Sequence, residues 1–254
     1  MPEGPSIVIL AEQVHAFEGR TICAASGNSQ AVPFDELLGQ PVLSLRSWGK
    51  HFLIELPLYT LRVHLLMFGS YRIDERKEGA APRLSLQFEE GGELNFYTCS
   101  VKLVEGELEQ AYDWRGDVMA AQWSPRLALK KLRARPARLV CDVLLDQDIF
   151  AGVGNIIKNE VLFRLRIHPL SSGHKLPLGK LRELVKQARQ YSFEFKVWKL
   201  AFELKKHWQV HNRSVCPRCN IQLHRAHLGL TQRRSFWCER CQKRYSGTLD
   251  VVKI

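Results

Sequence analysis

The chain opens Met1-Pro2-Glu3-Gly4-Pro5. Loss of Met1 would leave Pro2 as a secondary amine beside the carboxyl of Glu3. Such an amine can attack a sugar C1′ and become an iminium, a protonated Schiff base. That is covalent amine catalysis without a lysine. An α-amino group titrates near ~8, so a useful fraction is unprotonated at neutral pH. Alone, the dipeptide says little, because proline after a start methionine is common. Its weight comes from the far end of the sequence.

There, Cys216-Pro217-Arg218-Cys219 is followed, after 18 residues, by Cys238-Glu239-Arg240-Cys241. Two Cys-x-x-Cys pairs at this spacing suit one structural, four-thiolate zinc ion with no open position. Two reducible disulfides are the alternative; a reducing compartment argues against them. Cys23, Cys99 and Cys141 have no paired spacing and read as small buried hydrophobes.

The elements that must position these groups follow from the pattern. Pro5 to Glu18 reads as a helix, with Ile7, Leu10, Ala11, Val14 and Phe17 on one face and Gly19 at its end. Pro2 and Glu3 then precede a helix N-terminus, whose dipole disfavours an ammonium. Between Gly39 and Val104 come short strands: Val42 to Arg46, His51 to Leu56, Leu61 to Leu66, Leu84 to Glu89 and Glu93 to Thr98. Gly and Pro punctuate them, which predicts an antiparallel sandwich or barrel. After Tyr112 the pattern is helical: Pro125 to Ala134, Ala137 to Leu145, Asn155 to Leu165 and Gly179 to about Lys206, with breaks at Pro136 and Pro169. The expected domains are 1–112, 120–210 and 211–254.

The net charge is +11, and the last 54 residues hold eleven Lys/Arg against three Asp/Glu. A basic metal-binding module is the electrostatic footprint of a nucleic-acid binder. No run of 18 apolar residues exists and no signal peptide is visible, so a soluble, cytoplasmic protein without membrane contact is expected.

Within the helical half, Asp146-Gln147-Asp148-Ile149-Phe150-Ala151-Gly152-Val153-Gly154-Asn155 reads as helix, tight glycine turn, helix. Amides at the second helix could bind phosphate. Asn155 could cap that helix and donate to a phosphate. A Rossmann reading fails because no strand precedes the glycines, so no nucleotide cofactor is expected.

Taken together, the chain resembles the formamidopyrimidine-DNA glycosylase and endonuclease VIII family. The resemblance rests on Pro2-Glu3-Gly4-Pro5, Gly49-Lys50, Asp146 through Asn155, Glu160, His168-Pro169 and the four cysteines, with Arg233 five residues before Cys238. It spans nearly the whole chain, in order. It implies an α+β multidomain fold: an N-terminal helix plus antiparallel β-sandwich, a helix–two-turn–helix domain and a C-terminal four-cysteine zinc finger, with damaged double-stranded DNA in the cleft between the halves. It implies a bifunctional glycosylase and abasic-site lyase, a monomer, with the damaged nucleotide flipped out of the stack. Pro2 would be the nucleophile and Glu3 the general acid/base, with β- and δ-elimination following. Lys50 would contact the phosphate beside the damaged sugar and favour a neutral Pro2 amine; an exposed strand-end lysine is the plain alternative. Asn155 and Arg233 would grip the backbone, with Arg234 as a substitute. Leu66, Met67 and Phe68 match the loop that fills the hole left by the flipped base; a buried strand end is the other reading. The zinc would be structural. A bacterial, nucleoid-associated protein is expected.

Departures from the family pattern bear on substrate. Ser6 stands where both branches usually carry a glutamate. Asp148 replaces a lysine of the formamidopyrimidine branch. That branch's Arg-Phe pair, which probes the opposite base, is absent from the strand read as Tyr97-Thr98-Cys99-Ser100-Val101-Lys102. The segment Trp198 to Val215 has no glycine and does not resemble a flexible purine-capping loop. These features favour the endonuclease VIII side and oxidised pyrimidines. The alternatives are ring-opened purines or bulky adducts, or a damaged-DNA-binding protein with impaired catalysis.

Overall fold

The structure is a computed structural model that describes residues 2–135 and 137–246. The break expected at Pro136, the state of Met1 and the end of the 211–254 segment lie outside the described residues. The chain forms two compact units, Met1–Trp114 and Arg115–Ile254.

The first unit opens with helix α1 (Gly4–Val14), in which Ile7, Leu10 and Val14 are fully buried. A single 3-10 turn, His15–Phe17, continues it, so the helix is shorter than its apolar pattern predicts. Eight strands follow: β1 (Ile22–Ser26), β2 (Ser44–Trp48), β3 (His51–Glu55), β4 (Thr60–His64), β5 (Ser70–Ile73), β6 (Leu84–Phe88), β7 (Glu93–Tyr97) and β8 (Ser100–Val104). They make two antiparallel sheets, ordered β1-β6-β7-β5 and β2-β3-β4-β8. Phe52 of one sheet meets Phe96 of the other at 5.7 Å between ring centroids, inside a shared core. The expected sandwich is therefore present. β3 is covered on both sides, because Phe52 and Ile54 enter that core while Leu53 packs on Leu108 and Tyr112. Its unbroken Phe-Leu-Ile run is what a doubly covered strand requires.

Two strands escaped the periodicity. β1 lies at a sheet edge and carries the small residues Cys-Ala-Ala, and β5 is short and polar. Cys23 points outward from β1 and is exposed, which corrects its reading as a buried hydrophobe. The segment read as one strand, Tyr97 to Lys102, is the end of β7 and the start of β8, interrupted at Thr98-Cys99, where Thr98 is left-handed (φ 52°) and the chain crosses to the other sheet.

A short helix, α2 (Leu108–Ala111), ends the first unit's regular structure. The second unit contains α3 (Pro125–Arg133), α4 (Val140–Val143), α5 (Asn155–Arg164) and α6 (Leu178–Leu200). Ser124 caps α3 by accepting from the Leu127 amide at 3.2 Å, with Pro125 at the first turn. α4 is only four residues long, shorter than the helix predicted over 137–145. α5 is buried from Asn155 to Phe163. α6 stops at Leu200, before the predicted Lys206, and Phe202 turns left-handed (φ 59°). A hairpin of β9 (His224–Leu228) and β10 (Arg233–Trp237) lies between the two cysteine pairs. No helix of the described residues is long and apolar enough to cross a membrane.

Candidate active site and nucleic-acid interface

In the first unit, Pro2 is part-buried and Glu3 has no exposed surface. Glu3 is extended (φ −121°, ψ 172°) at the entry to α1, and its carbonyl accepts from the Ser6 amide at 2.8 Å. Ser6 is buried, and its hydroxyl has no hydrogen-bond partner among the described residues. α1 packs on β2 and β3, the strands that the Gly49-Lys50 turn joins. Gly49 is left-handed (φ 55°), so the tight turn that presents part-buried Lys50 suits glycine there.

Behind Lys50 stands an aromatic group. His51 and His64 pair across β3 and β4, with ring centroids 5.5 Å apart, and Tyr112 and Trp48 flank His51. Burial pushes the His51 pKa down to about 4, helped by the charges of Arg62, His64 and Lys50. Burial lowers His64 too. Neutral imidazoles therefore line the base of the turn, and they do not repel the Lys50 ammonium. Because the folded pKa of His51 lies below the ordinary 6.5, the unfolded chain takes the proton first. Stability should fall as pH drops from 6.5 toward about 4. His51→Phe should flatten that part of a pH–stability curve measured by urea unfolding; an unchanged slope would place the His51 pKa elsewhere.

The loop after β4 is built on glycine. A Cβ on Gly69 would lie 2.1 Å from the Leu65 carbonyl oxygen, to which the Gly69 amide donates at 2.8 Å. Leu66 is left-handed (φ 51°). This tight turn leaves Leu66, Met67 and Phe68 exposed at 47%, 43% and 79%, which removes the buried-strand-end reading.

In the second unit, Asn155 does not cap α5. The cap position is Gly154, and the Asn155 side-chain amide donates to the Arg234 carbonyl at 2.9 Å. Asn155 Oδ1 is buried without a partner among the described residues. The next turn of α5 brings in groups that motif reading passed over. Fully buried Lys158 donates to Ser235 Oγ at 2.8 Å, and Asn159 Oδ1 accepts from the Phe236 amide at 3.1 Å. Three consecutive polar residues, Lys158-Asn159-Glu160, inside an apolar helix were the available signal. Glu160 accepts from the amides of Gln209, Val210 and His211 at 2.8–3.0 Å. Burial still pushes its carboxyl up against the pull of those amides.

Asp142 in α4 reaches the hairpin turn. Its carboxylate accepts from the amides of Leu230 and Thr231 and from the Thr231 hydroxyl, at 3.0–3.1 Å. Asp146 binds Arg135 and Arg138, and Asp148 pairs with Arg135 at 3.1 Å. Asp148 therefore serves a local ion pair. His168 is buried beside Glu239 at 3.6 Å. β-strand alternation sends Arg233 and Arg234 to opposite faces of the hairpin. Arg233 shares its face with Ser235, the residue that Lys158 holds.

The sulfurs of Cys216, Cys219, Cys238 and Cys241 lie within 4.8 Å of one another and could hold a metal ion. Cys216 and Cys241 are 3.8 Å apart, and Cys219 and Cys238 3.4 Å. Four thiolates at ~2.3 Å around one tetrahedral ion would stand about 3.8 Å apart.

Residues 1–99 match the model of the formamidopyrimidine-DNA glycosylase N-terminal domain, and residues 118–193 match that of the formamidopyrimidine-DNA glycosylase H2TH domain. The chain belongs to the formamidopyrimidine-DNA glycosylase and endonuclease VIII family. Among its sequence relatives is "Endonuclease 8-like 2" of Bos taurus, 35% identical over 211 residues, covering 74% of this chain and 59% of that protein. "Endonuclease 8-like 3" of Homo sapiens is 27% identical over 293 residues, covering 100% and 48%. The chain thus spans about half the length of these relatives. A viral DNA glycosylase shares the fold with a TM-score of 0.82 at 22% identity, covering 95% of this chain and 100% of that one. So does the Lactococcus lactis formamidopyrimidine-DNA glycosylase bound to DNA with an abasic site, at 0.82 and 21%, with the same coverage. The expectation of a bacterial, nucleoid-associated protein is overturned by the relatives, which come from Homo sapiens, Mus musculus, Bos taurus and Xenopus laevis.

Proposed function

We propose that this family member is a DNA glycosylase with abasic-site lyase activity, acting on oxidised pyrimidines in double-stranded DNA. The observation that carries the proposal is the entry to α1, where Pro2 precedes a fully buried Glu3. The Pro2 amine attacks C1′ of the flipped nucleotide, forming an N–C bond as the C1′–base bond breaks. Glu3 protonates the sugar ring oxygen, and the ring opens to the Schiff base. Loss of the C2′ proton then expels the 3′ phosphate, and a second elimination expels the 5′ phosphate. Lys50 balances phosphate charge beside this centre, and Met67, with Leu66 and Phe68, fills the vacated stack. Asn155 and Arg233 hold the backbone.

The four cysteines fit zinc, which would supply only a fixed cross-link beneath the β9–β10 hairpin. The preference for pyrimidines is supported by the segment before the finger. Trp198 stacks on His207 at 4.2 Å, and Glu160 pins residues 209–211, so a mobile purine cap has no counterpart here. The protein is expected to act as a monomer.

Ser6 favours a second reading, in which base release is impaired and the protein chiefly recognises damaged DNA. Its buried hydroxyl occupies the place of a carboxylate. Single-turnover cleavage of duplexes carrying thymine glycol, dihydrouracil, 8-oxoguanine or an abasic site separates these readings. Fast cleavage at the abasic site, slower excision of both pyrimidine lesions and slowest excision of 8-oxoguanine are expected. Ser6→Glu should speed base release toward the roughly 10²–10⁴-fold that acid/base groups contribute. Fastest excision of 8-oxoguanine would overturn the pyrimidine assignment, and no excision of any base would favour the second reading.

A further inference from the structure

We propose that the face of the β9–β10 hairpin opposite Arg233 is a second phosphate-binding site, built to hold a nucleic-acid backbone. The strand register fixes the two faces. Arg234 lies across from His227, and Phe236 across from Arg225. Pleating therefore gathers Arg225, His227 and Arg234 on one face and sends Arg233 and Ser235 to the other. Buried Lys158 holds Ser235 on the Arg233 face, while Phe236 at the base of the other face packs in the core with Phe163.

Two hollows open on the Arg234 face. One concavity of about 310 Å³ is lined by Arg213, Arg225 and Arg234 with Asn212 and Gln222, above Phe236. A second, also of about 310 Å³, shares Arg225 and Arg234 and adds His227. No acidic residue lines either hollow among the described residues. Arg213 is fixed in place, donating from Nε to the Trp208 carbonyl at 3.1 Å and from Nη2 to the Lys205 carbonyl at 3.0 Å. Three guanidinium groups from three segments thus converge without a carboxylate to balance them. Like charges held together in this way are relieved by an anion, and the planar guanidinium fork matches phosphate. Two adjoining hollows that share two arginines suit successive phosphates of one strand better than a single free ion. The catalytic reading uses Arg233 on the other face and takes Arg234 only as its substitute, and the proposal does not depend on the chemistry at Pro2.

The test is equilibrium binding of the full chain to an undamaged duplex at about 50 and 200 mM salt, a measurement that needs no catalysis. Each phosphate contact contributes about 0.9 to the slope of log affinity against log salt. Replacing both Arg225→Ala and Arg234→Ala should lower the slope by about 1.8. Over that salt range the wild type should then lose about 12-fold more affinity than the variant. The Arg225→Lys, Arg234→Lys pair should keep most of the slope. Zinc content equal to wild type shows an intact finger; if the alanine pair loses metal, the Arg225→Gln, Arg234→Gln pair carries the same test. An unchanged slope in a metal-loaded, charge-deleted variant overturns the proposal. Inorganic phosphate serves as the second probe. Arginine side-chain NMR signals of Arg225 and Arg234 that shift with phosphate but not with duplex would also overturn it.

Discussion

Acetylating the N-terminal amine should abolish borohydride trapping of the protein on DNA containing an abasic site. The expected loss is complete, because an acetylated nitrogen has no lone pair to give to C1′. The unmodified protein, with Met1 removed, should form a covalent complex whose mass is that of the protein plus the trapped strand, less the water lost on imine formation and plus two hydrogens from the borohydride. Pro2→Gly is a weaker test, since it leaves a primary amine that could still form a Schiff base. Glu3→Gln is sharper. It keeps the shape of a fully buried residue and removes its proton-transfer function, and should slow single-turnover cleavage by roughly 10²–10⁴-fold. Full trapping by acetylated protein would move the nucleophile to a lysine and end the Pro2 assignment.

Cys238→Ser should release the metal and take DNA affinity with it. Structural zinc supplies on the order of 10–16 kcal/mol in isolated finger peptides, so loss of one thiolate removes most of what folds a short hairpin. Here the damage should travel further. Lys158 is fully buried and donates to Ser235 and to the Arg234 carbonyl. A loosened β10 takes those two acceptors from an ammonium held in the interior, which costs about 1–3 kcal/mol for each buried hydrogen bond lost. Metal content by mass spectrometry and hydrogen exchange at α5 would follow this directly. The first unit, with its own core, should keep its protection. Retention of one metal per chain with normal α5 protection would rule out the four-cysteine site.

The parts of this fold that were legible are those written in one local pattern. The doubly covered β3, the stripe of α1 and the two Cys-x-x-Cys pairs each announce themselves within a few residues. β1 and β5 were not legible, because an edge strand of small residues and a short polar strand have no alternation to show. α4 was overextended because Ala137 to Leu145 is apolar enough for a helix, yet only Val140–Val143 is helical, with Leu139 bridged to Ser172 before it and a turn after it that carries Asp146. At the candidate site, motif spacing named Asn155 and Glu160 but could not say what they touch. Asn155 was given a cap that Gly154 occupies, since capping preference is local while its partner, the Arg234 carbonyl, is remote in sequence. Lys158 and Asp142 were missed for the same reason. A buried lysine or a lone aspartate has meaning only once the hairpin lies against it.

Asp142 and Gly229 bear on how freely the finger could be exchanged. A Cβ on Gly229 would sit 2.4 Å from both Asp142 carboxylate oxygens, which are occupied with the Leu230 and Thr231 amides. The hairpin turn is therefore cut to fit one carboxylate on a helix in another part of the chain. A finger grafted from a relative with any side chain at the Gly229 position would collide with Asp142, even with its own cysteines and metal intact. The finger looks portable in sequence, but α4 and the turn would have to be transplanted together.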